Sequence, residues 1–215
     1  MSLILIFGDS ITWGAWDHEG GWVQRLRRFV EKFKNDEGIR CHHLYNLGVN
    51  GNTTDELLDR FEFEVYQRQV DEVENILIFQ IGANDSYMLH GDNQPRMSIE
   101  RFNVNLKRLL LLAQKYSSKI IFLGLIPVED QKLNPIPWDP DIAYQTKQIK
   151  LFNDSIQEFC VYHKLFFIDF WEDWINQNYS DLLDDGLHPN SLGHERIFVH
   201  VKNFLLKNKI LMENC

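Results

Sequence analysis

Apolar residues along this chain alternate between two patterns. Leu3 to Phe7 is a continuous apolar run closed by Gly8, which fits a strand buried on both faces better than one with a wet side. Trp22, Leu26, Phe29, Val30 and Phe33 then recur at i, i+4, i+7, i+8 and i+11, the stripe of an amphipathic helix that Gly38 can end. A second strand is predicted over His42 to Leu47, a Gly/Asn loop over Gly48 to Asn52, and a helix capped at Thr53 or Thr54. Ile76 to Ile81 is the third run, and Phe102, Leu106, Leu109, Leu110 and Ala113 form the next helical stripe. A fourth run, Ile120 to Ile126, is followed by a helix through Ile149, Phe152, Ile156, Phe159 and Cys160. Leu165 to Ile168 then gives a fifth strand, and a last helix starts near Asn190 or Ser191 and carries Ile197, Val201 and Leu205.

Five apolar strands separated by helices predict an α/β fold with a parallel sheet covered on both faces. At 215 residues, without internal repeat or low-complexity linker, the chain is expected to form a single domain over 1–215. In such sheets the loops at the carboxyl ends of the strands line the ligand crevice. Those loops hold Gly8 to Gly14, Gly48 to Asn52, Gly82 to Ser86, the Pro-rich stretch Pro127 to Pro140, and Asp181 to His188 further on.

Composition narrows the field. A hydrophobic share of 44% with 13% aromatics supplies a packed core and excludes disorder. The net charge of −9 opposes phosphate backbones and anionic lipid surfaces, so nucleic acid is not an expected partner. Cys41, Cys160 and Cys215 make no C-x-x-C pair, and their odd count suits a reducing compartment. The apolar start has no Lys or Arg before it and no small-residue cleavage site behind it, unlike a secretory signal. No apolar run reaches the length of a membrane span, and a cysteine in last place is not a prenylation box. The expectation is a soluble, cytoplasmic protein without a stable membrane anchor.

Three polar clusters stand in the strand-end loops. Ser10 follows the first strand, where a turn can lift its hydroxyl above the sheet edge; alone it reads equally as a turn or capping serine. Asp185-Gly186-Leu187-His188-Pro189 precedes the last helix, and D-x-x-H on a tight turn lets a carboxylate orient the imidazole that activates a nucleophile. Taken singly, these are a turn aspartate and a surface histidine. Gly51 and Asn84 are candidate oxyanion donors, through a backbone N–H and a side-chain amide; each is also an ordinary turn residue. Trp13, close behind Ser10, is a candidate for the pocket mouth. The remaining histidines lack partners at ligand spacing, so no metal site is expected.

In order, Gly8-Asp9-Ser10-Ile11, the glycine of Asn46-Leu47-Gly48-Val49-Asn50-Gly51-Asn52-Thr53, Gly82-Ala83-Asn84-Asp85 and Asp185-Gly186-Leu187-His188-Pro189 resemble the four blocks of the GDSL esterases, or SGNH hydrolases. The resemblance runs from Gly8 to about Gly193 and implies a three-layer α/β/α, flavodoxin-like fold with no metal or organic cofactor. It also implies Ser10 as nucleophile, His188 as base and Asp185 as its orienting carboxylate, with Ser10 N–H, Gly51 N–H and the Asn84 side chain as oxyanion hole. Ile11 stands where the family usually has leucine. Two assignments depend on register, because Asp184 adjoins Asp185 and Gly48 lies just before Gly51; the spacing to His188 and the following Asn-Thr favour Asp185 and Gly51.

The expected partner is a small-molecule ester, with short acyl groups preferred because Trp138 and the prolines of 127–140 would shorten the pocket. Alternatives are a lysophospholipase or thioesterase with a longer acyl group, a catalytically idle homologue that binds acyl or sugar ligands, and a flavodoxin-like binder of phosphate or flavin. Against the last, neither G-x-x-x-x-G-K nor G-x-G-x-x-G occurs.

Overall fold

The strand that begins the chain is its most buried element. In the computed structural model, which describes residues 1–89 and 94–211, every residue of β1 (Ser2–Gly8) is buried. Successive side chains point to opposite faces, so Leu3, Leu5 and Phe7 enter one apolar core while Ile4 and Ile6 enter another. After it come α1 (Ser10–Trp13), α2 (Gly21–Val30), β2 (His42–Gly48), α3 (Thr54–Tyr66), β3 (Glu74–Gln80) and α4 (Ala83–Ser86). Two short strands, β4 (Met88–Leu89) and β5 (Gln94–Pro95), precede α5 (Ile99–Ala113) and β6 (Lys119–Leu123). The chain continues through β7 (Ile142–Ala143), α6 (Thr146–His163), β8 (Phe166–Ile168), α7 (Trp171–Ile175), a 3-10 turn at Tyr179–Leu182 and α8 (Ser191–Lys207).

The main sheet has five parallel strands in the order β2-β1-β3-β6-β8. On one face α3, α5 and α6 contribute Leu57, Phe61, Phe102, Leu106, Ile149 and Phe152 to the first core. On the other, α2 and α8 contribute Trp22, Val23, Leu26, Ile197 and Val201 to the second. The result is the expected three-layer α/β/α arrangement. The chain leaves β1 for β2 on one side and returns to β3 on the other, so the strand order reverses around β1 and opens the crevice there.

Two expectations shift. The stripe from Trp22 to Phe33 ends as α helix at Val30, because Phe33 and Cys41 exchange into a loop contact in which Cys41 N–H donates to the Phe33 carbonyl (3.0 Å). The small antiparallel sheet β5-β4-β7 left no sequence signal, since two-residue strands carry no period. Cys160 is a buried free thiol. Cys215 lies outside the described residues. Among the described residues no helix is long and apolar enough to cross a membrane.

Candidate active site

Each residue of Gly8-Asp9-Ser10 meets a separate local demand. A Cβ on Gly8 would lie 2.1 Å from Thr12 Oγ1 and 2.4 Å from the Gln80 carbonyl, so only glycine lets β1 turn this close to β3. Asp9 caps α1, its Oδ1 accepting the Ile11 N–H at 3.0 Å. Burial pushes its carboxyl up to about 6, against the backbone N–H bonds that favour its charge. Ser10 is then the first residue of the helix, half-buried at the carboxyl edge of the sheet.

The opposite partner sits on a closed turn before α8. Leu183 bridges Pro189, Asp184 N–H donates to the His188 carbonyl at 2.8 Å, and Gly186 turns at φ +94°. Asn190 ends this turn by capping α8, accepting the N–H groups of Leu192 and Gly193. His188 Nε2 is 2.9 Å from Ser10 Oγ, and His188 Nδ1 is 2.7 Å from Asp185 Oδ2. Asp185 Oδ1 accepts the backbone N–H groups of Leu187 (2.9 Å) and His188 (2.8 Å). Burial would raise the Asp185 carboxyl, but the bonds and charge of His188 outweigh it and hold the group well below the usual carboxylate range. Of the two neighbouring aspartates, Asp185 is the one whose carboxylate is bonded to the His188 ring.

The glycines of the second block separate in the same way. A Cβ on Gly48 would sit 2.3 Å from Trp13 N, so this glycine packs α1 against β2. Gly51, at φ +76° with open space where a Cβ would be, lines the cavity in front of Ser10. Asn84 is the second residue of the short α4 that follows β3. Its Nδ2 donates to the Asn52 carbonyl (3.0 Å), and its Oδ1 accepts from the Tyr144 hydroxyl (2.6 Å), which fixes the orientation of the amide. One Nδ2 hydrogen remains for a ligand. Below it, Asp85 accepts from Thr54 N–H (3.0 Å) and Thr54 Oγ1 (2.5 Å), joining this block to the start of α3. Burial raises the Asp85 carboxyl to about 7 despite those bonds.

Ser10, His188, Gly51 and Asn84 border one cavity of about 590 Å³. Trp16, Trp138, Tyr87, Tyr144, Ile136 and Ile142 complete much of its wall. Trp13 does not: it is half-exposed and stands away from the cavity, and the tryptophan beside the site is Trp16. Trp16, Tyr87 and Tyr144 escaped sequence reasoning because an aromatic in an aperiodic loop has no pattern to set it apart from core. Trp138 lines the cavity where the Pro-rich stretch was expected to hang over it. A hydroxyl, an imidazole and a carboxylate in hydrogen-bonded line, with amide donors across the gap, can together generate an alkoxide-like nucleophile and hold a developing oxyanion.

This fold is that of the SGNH/GDSL hydrolases. A lipase/acylhydrolase of Enterococcus faecalis superposes with a TM-score of 0.73 at 23% identity, covering 95% of each chain. The acetylxylan esterase Axe2 of Geobacillus stearothermophilus gives 0.71 at 19% identity over 95% of this chain and 92% of its own. Residues 6–196 match the GDSL-like lipase/acylhydrolase family, and the chain belongs to it. An isoamyl acetate-hydrolyzing esterase 1 homolog of Rattus norvegicus is 24% identical over 92% of this chain and 79% of its own length. The uncharacterized lipoprotein YqeF of Bacillus subtilis is 30% identical, but the match spans 58% of this chain and only about half, 49%, of that relative. A lipoprotein among the relatives leaves the compartment open, so the cytoplasmic expectation is not carried forward.

Proposed function

We propose that this family member is a serine esterase that hydrolyses short-chain carboxylic esters, acetyl esters foremost, through an acyl-enzyme on Ser10. One observation carries the reading: Ser10, His188 and Asp185 stand in an unbroken line of hydrogen bonds of 2.9 and 2.7 Å, and Ser10 and His188 line a cavity that Gly51 and Asn84 line as well. The esterase names of the Axe2 and Rattus norvegicus relatives support ester chemistry and a small acyl group.

The steps follow from that line. His188 Nε2 takes the Ser10 proton as Oγ attacks the ester carbonyl, and the imidazolium shares its Nδ1 proton with Asp185, which stays charged. The oxyanion lies against Ser10 N–H, Gly51 N–H and Asn84 Nδ2. His188 returns the proton to the leaving alkoxide and the acyl-enzyme forms. Water, deprotonated by His188, attacks the acyl carbon, and collapse releases the carboxylic acid and restores Ser10. No step calls on a cofactor.

The direct test is Ser10→Ala assayed on p-nitrophenyl acetate. Turnover should fall on the order of 10⁴-fold or more while the fold persists, since the alanine keeps the binding wall and loses the nucleophile. A folded Ser10→Ala protein with near-normal turnover would refute the assignment.

A further inference from the structure

Trp16 occupies an unusual position for so large a side chain. Its backbone is left-handed at φ +63°, a conformation disfavoured for residues with a Cβ. Both neighbours are tied down. Ala15 is buried and its carbonyl accepts from His194 Nε2 (3.3 Å), while His194 Nδ1 accepts the Trp22 N–H (3.3 Å). Burial holds His194 down to about 4, which keeps it neutral and in that tautomer. On the other side the buried Asp17 pairs with Arg25 and accepts the Gly21 N–H at 2.9 Å. A strained residue clamped from both sides beside a reactive group is a pattern of functional sites.

The clamp delivers one specific bond. The Trp16 indole N–H lies 2.8 Å from Asp185 Oδ2, the same oxygen that faces His188 Nδ1. Its nitrogen is also 3.1 Å from His188 Nδ1. If His188 Nε2 accepts from Ser10, Nδ1 carries a hydrogen, so two donors share Oδ2 and the short N···N approach is a consequence of that sharing. The indole ring stands edge-on to the imidazole, with centroids 5.8 Å apart at 84°. With the two backbone N–H groups on Oδ1, the carboxylate receives four donors.

We propose that Trp16 is a positioning residue for the reaction proposed above: its indole N–H fixes Asp185 Oδ2 and tempers the basicity of that carboxylate, while its ring walls the cavity. The inference rests on the esterase reading for its kinetic consequence, and on geometry alone for the bond. Because Trp16 is 58% exposed, water competes for the N–H and the effect is moderate.

Trp16→Phe keeps an aromatic wall and removes the donor. On p-nitrophenyl acetate, kcat should fall about fivefold, the size of an ordinary hydrogen bond for which water competes, with KM within about twofold. The acid limb of kcat/KM should move to higher pH, since a more basic carboxylate favours the imidazolium. Asp9 at the start of α1 and His194 on α8 interact electrostatically with His188, and Arg96, Asp139, Tyr87 and Tyr144 line the same cavity; none of them is bonded to the indole N–H, so all stay constant between the two proteins. Trp16→Leu should show the same kcat loss together with a raised KM. In the resting enzyme, nitrogen NMR of histidine-labelled protein should show the His188 Nδ1 signal move toward stronger hydrogen bonding in Trp16→Phe. An unchanged kcat, acid limb and Nδ1 signal in Trp16→Phe would reduce Trp16 to a wall and overturn the proposal. The NMR arm needs no turnover, so it still decides the matter if Ser10→Ala should overturn the esterase reading.

Discussion

The cavity has two unlike walls. One is built at strand ends: Ser10 two residues beyond β1, Gly51 three beyond β2, and Asn84 four beyond β3. Its residues are pinned mainly by backbone, through the close approach at Gly8, the cap at Asp9 and the Asn52 carbonyl that accepts from Asn84, with the Tyr144 hydroxyl of the facing wall as the one side-chain tie to the Asn84 amide. The facing wall comes from the loop and short strand spanning 136–144, where Ile136, Trp138, Ile142 and Tyr144 meet the cavity as side chains on irregular backbone. The first wall follows from the sheet's topology, and the second from loop packing. Chemistry common to a family belongs on the first and substrate choice on the second, because strand ends cannot move without disturbing the core whereas a loop can be exchanged.

Breaking the strand-end wall should give the largest effect. Asn84→Ala removes an oxyanion donor and should lower kcat about 10² to 10³-fold with little change in KM, measured on p-nitrophenyl acetate. A pure KM effect would move Asn84 to the substrate-choice side of the comparison.

A second effect lies beneath the same wall and concerns stability. Asp9 and Asp85, raised by burial from 3.8 to about 6 and about 7, hold protons in the folded chain that unfolded carboxyls release. Their folded pKa values exceed the unfolded ones, so the stability these two groups contribute is full below about pH 4 and is lost as pH rises through 6 and 7. His194, lowered from 6.5 to about 4, acts in the opposite sense, its contribution being lost as pH falls through that window. Asp85→Asn removes one proton from this balance, worth up to about 1.4 kcal/mol per pH unit where only the folded state binds it. Urea midpoints should therefore rise relative to the parent as pH increases from 5 to 7. Parallel curves would mean that Asp85 is ionised throughout.

The smallest effect should come from the loop wall. The parent's kcat/KM should peak between acetyl and butyryl esters, and Trp138→Ala should lengthen the preferred chain with only a few-fold change in kcat on acetyl ester. Each methylene accommodated adds about 0.8 kcal/mol of binding. A parent that prefers octanoyl or longer would place a lipid or thioester acyl chain in this cavity, and an unaltered profile in the variant would remove Trp138 from substrate choice.

The same division explains what was legible in the sequence. β1, β3 and β6 were readable because buried parallel strands are continuous apolar runs, β2 left a weaker signal because it is a half-exposed edge strand, and α8 was readable because Asn190 caps it before an apolar stripe. Taken singly the catalytic candidates were ordinary turn and capping residues, and they stood out only through the four ordered blocks that resemble the GDSL esterases; within those blocks Gly8 admits β3 and Gly186 carries a positive φ beside Asp185. Trp16, Tyr87 and Tyr144 were not legible, since their positions depend on a left-handed residue, a three-stranded sheet of two-residue strands, and contacts between segments about 60 to 170 residues apart. Trp13 drew attention by its nearness to Ser10 in sequence, but the short α1 turns it away and Gly14, at φ +98°, redirects the chain so that Trp16 reaches the site.

The central claim is that Ser10 is an activated nucleophile, and covalent trapping reads it directly. A fluorophosphonate should phosphonylate the parent at Ser10 with loss of fluoride, giving a single adduct that peptide mass spectrometry places on the segment carrying Gly8-Asp9-Ser10 and that Ser10→Ala abolishes. A parent that stays unmodified, or an adduct on another residue that persists in Ser10→Ala, would contradict it.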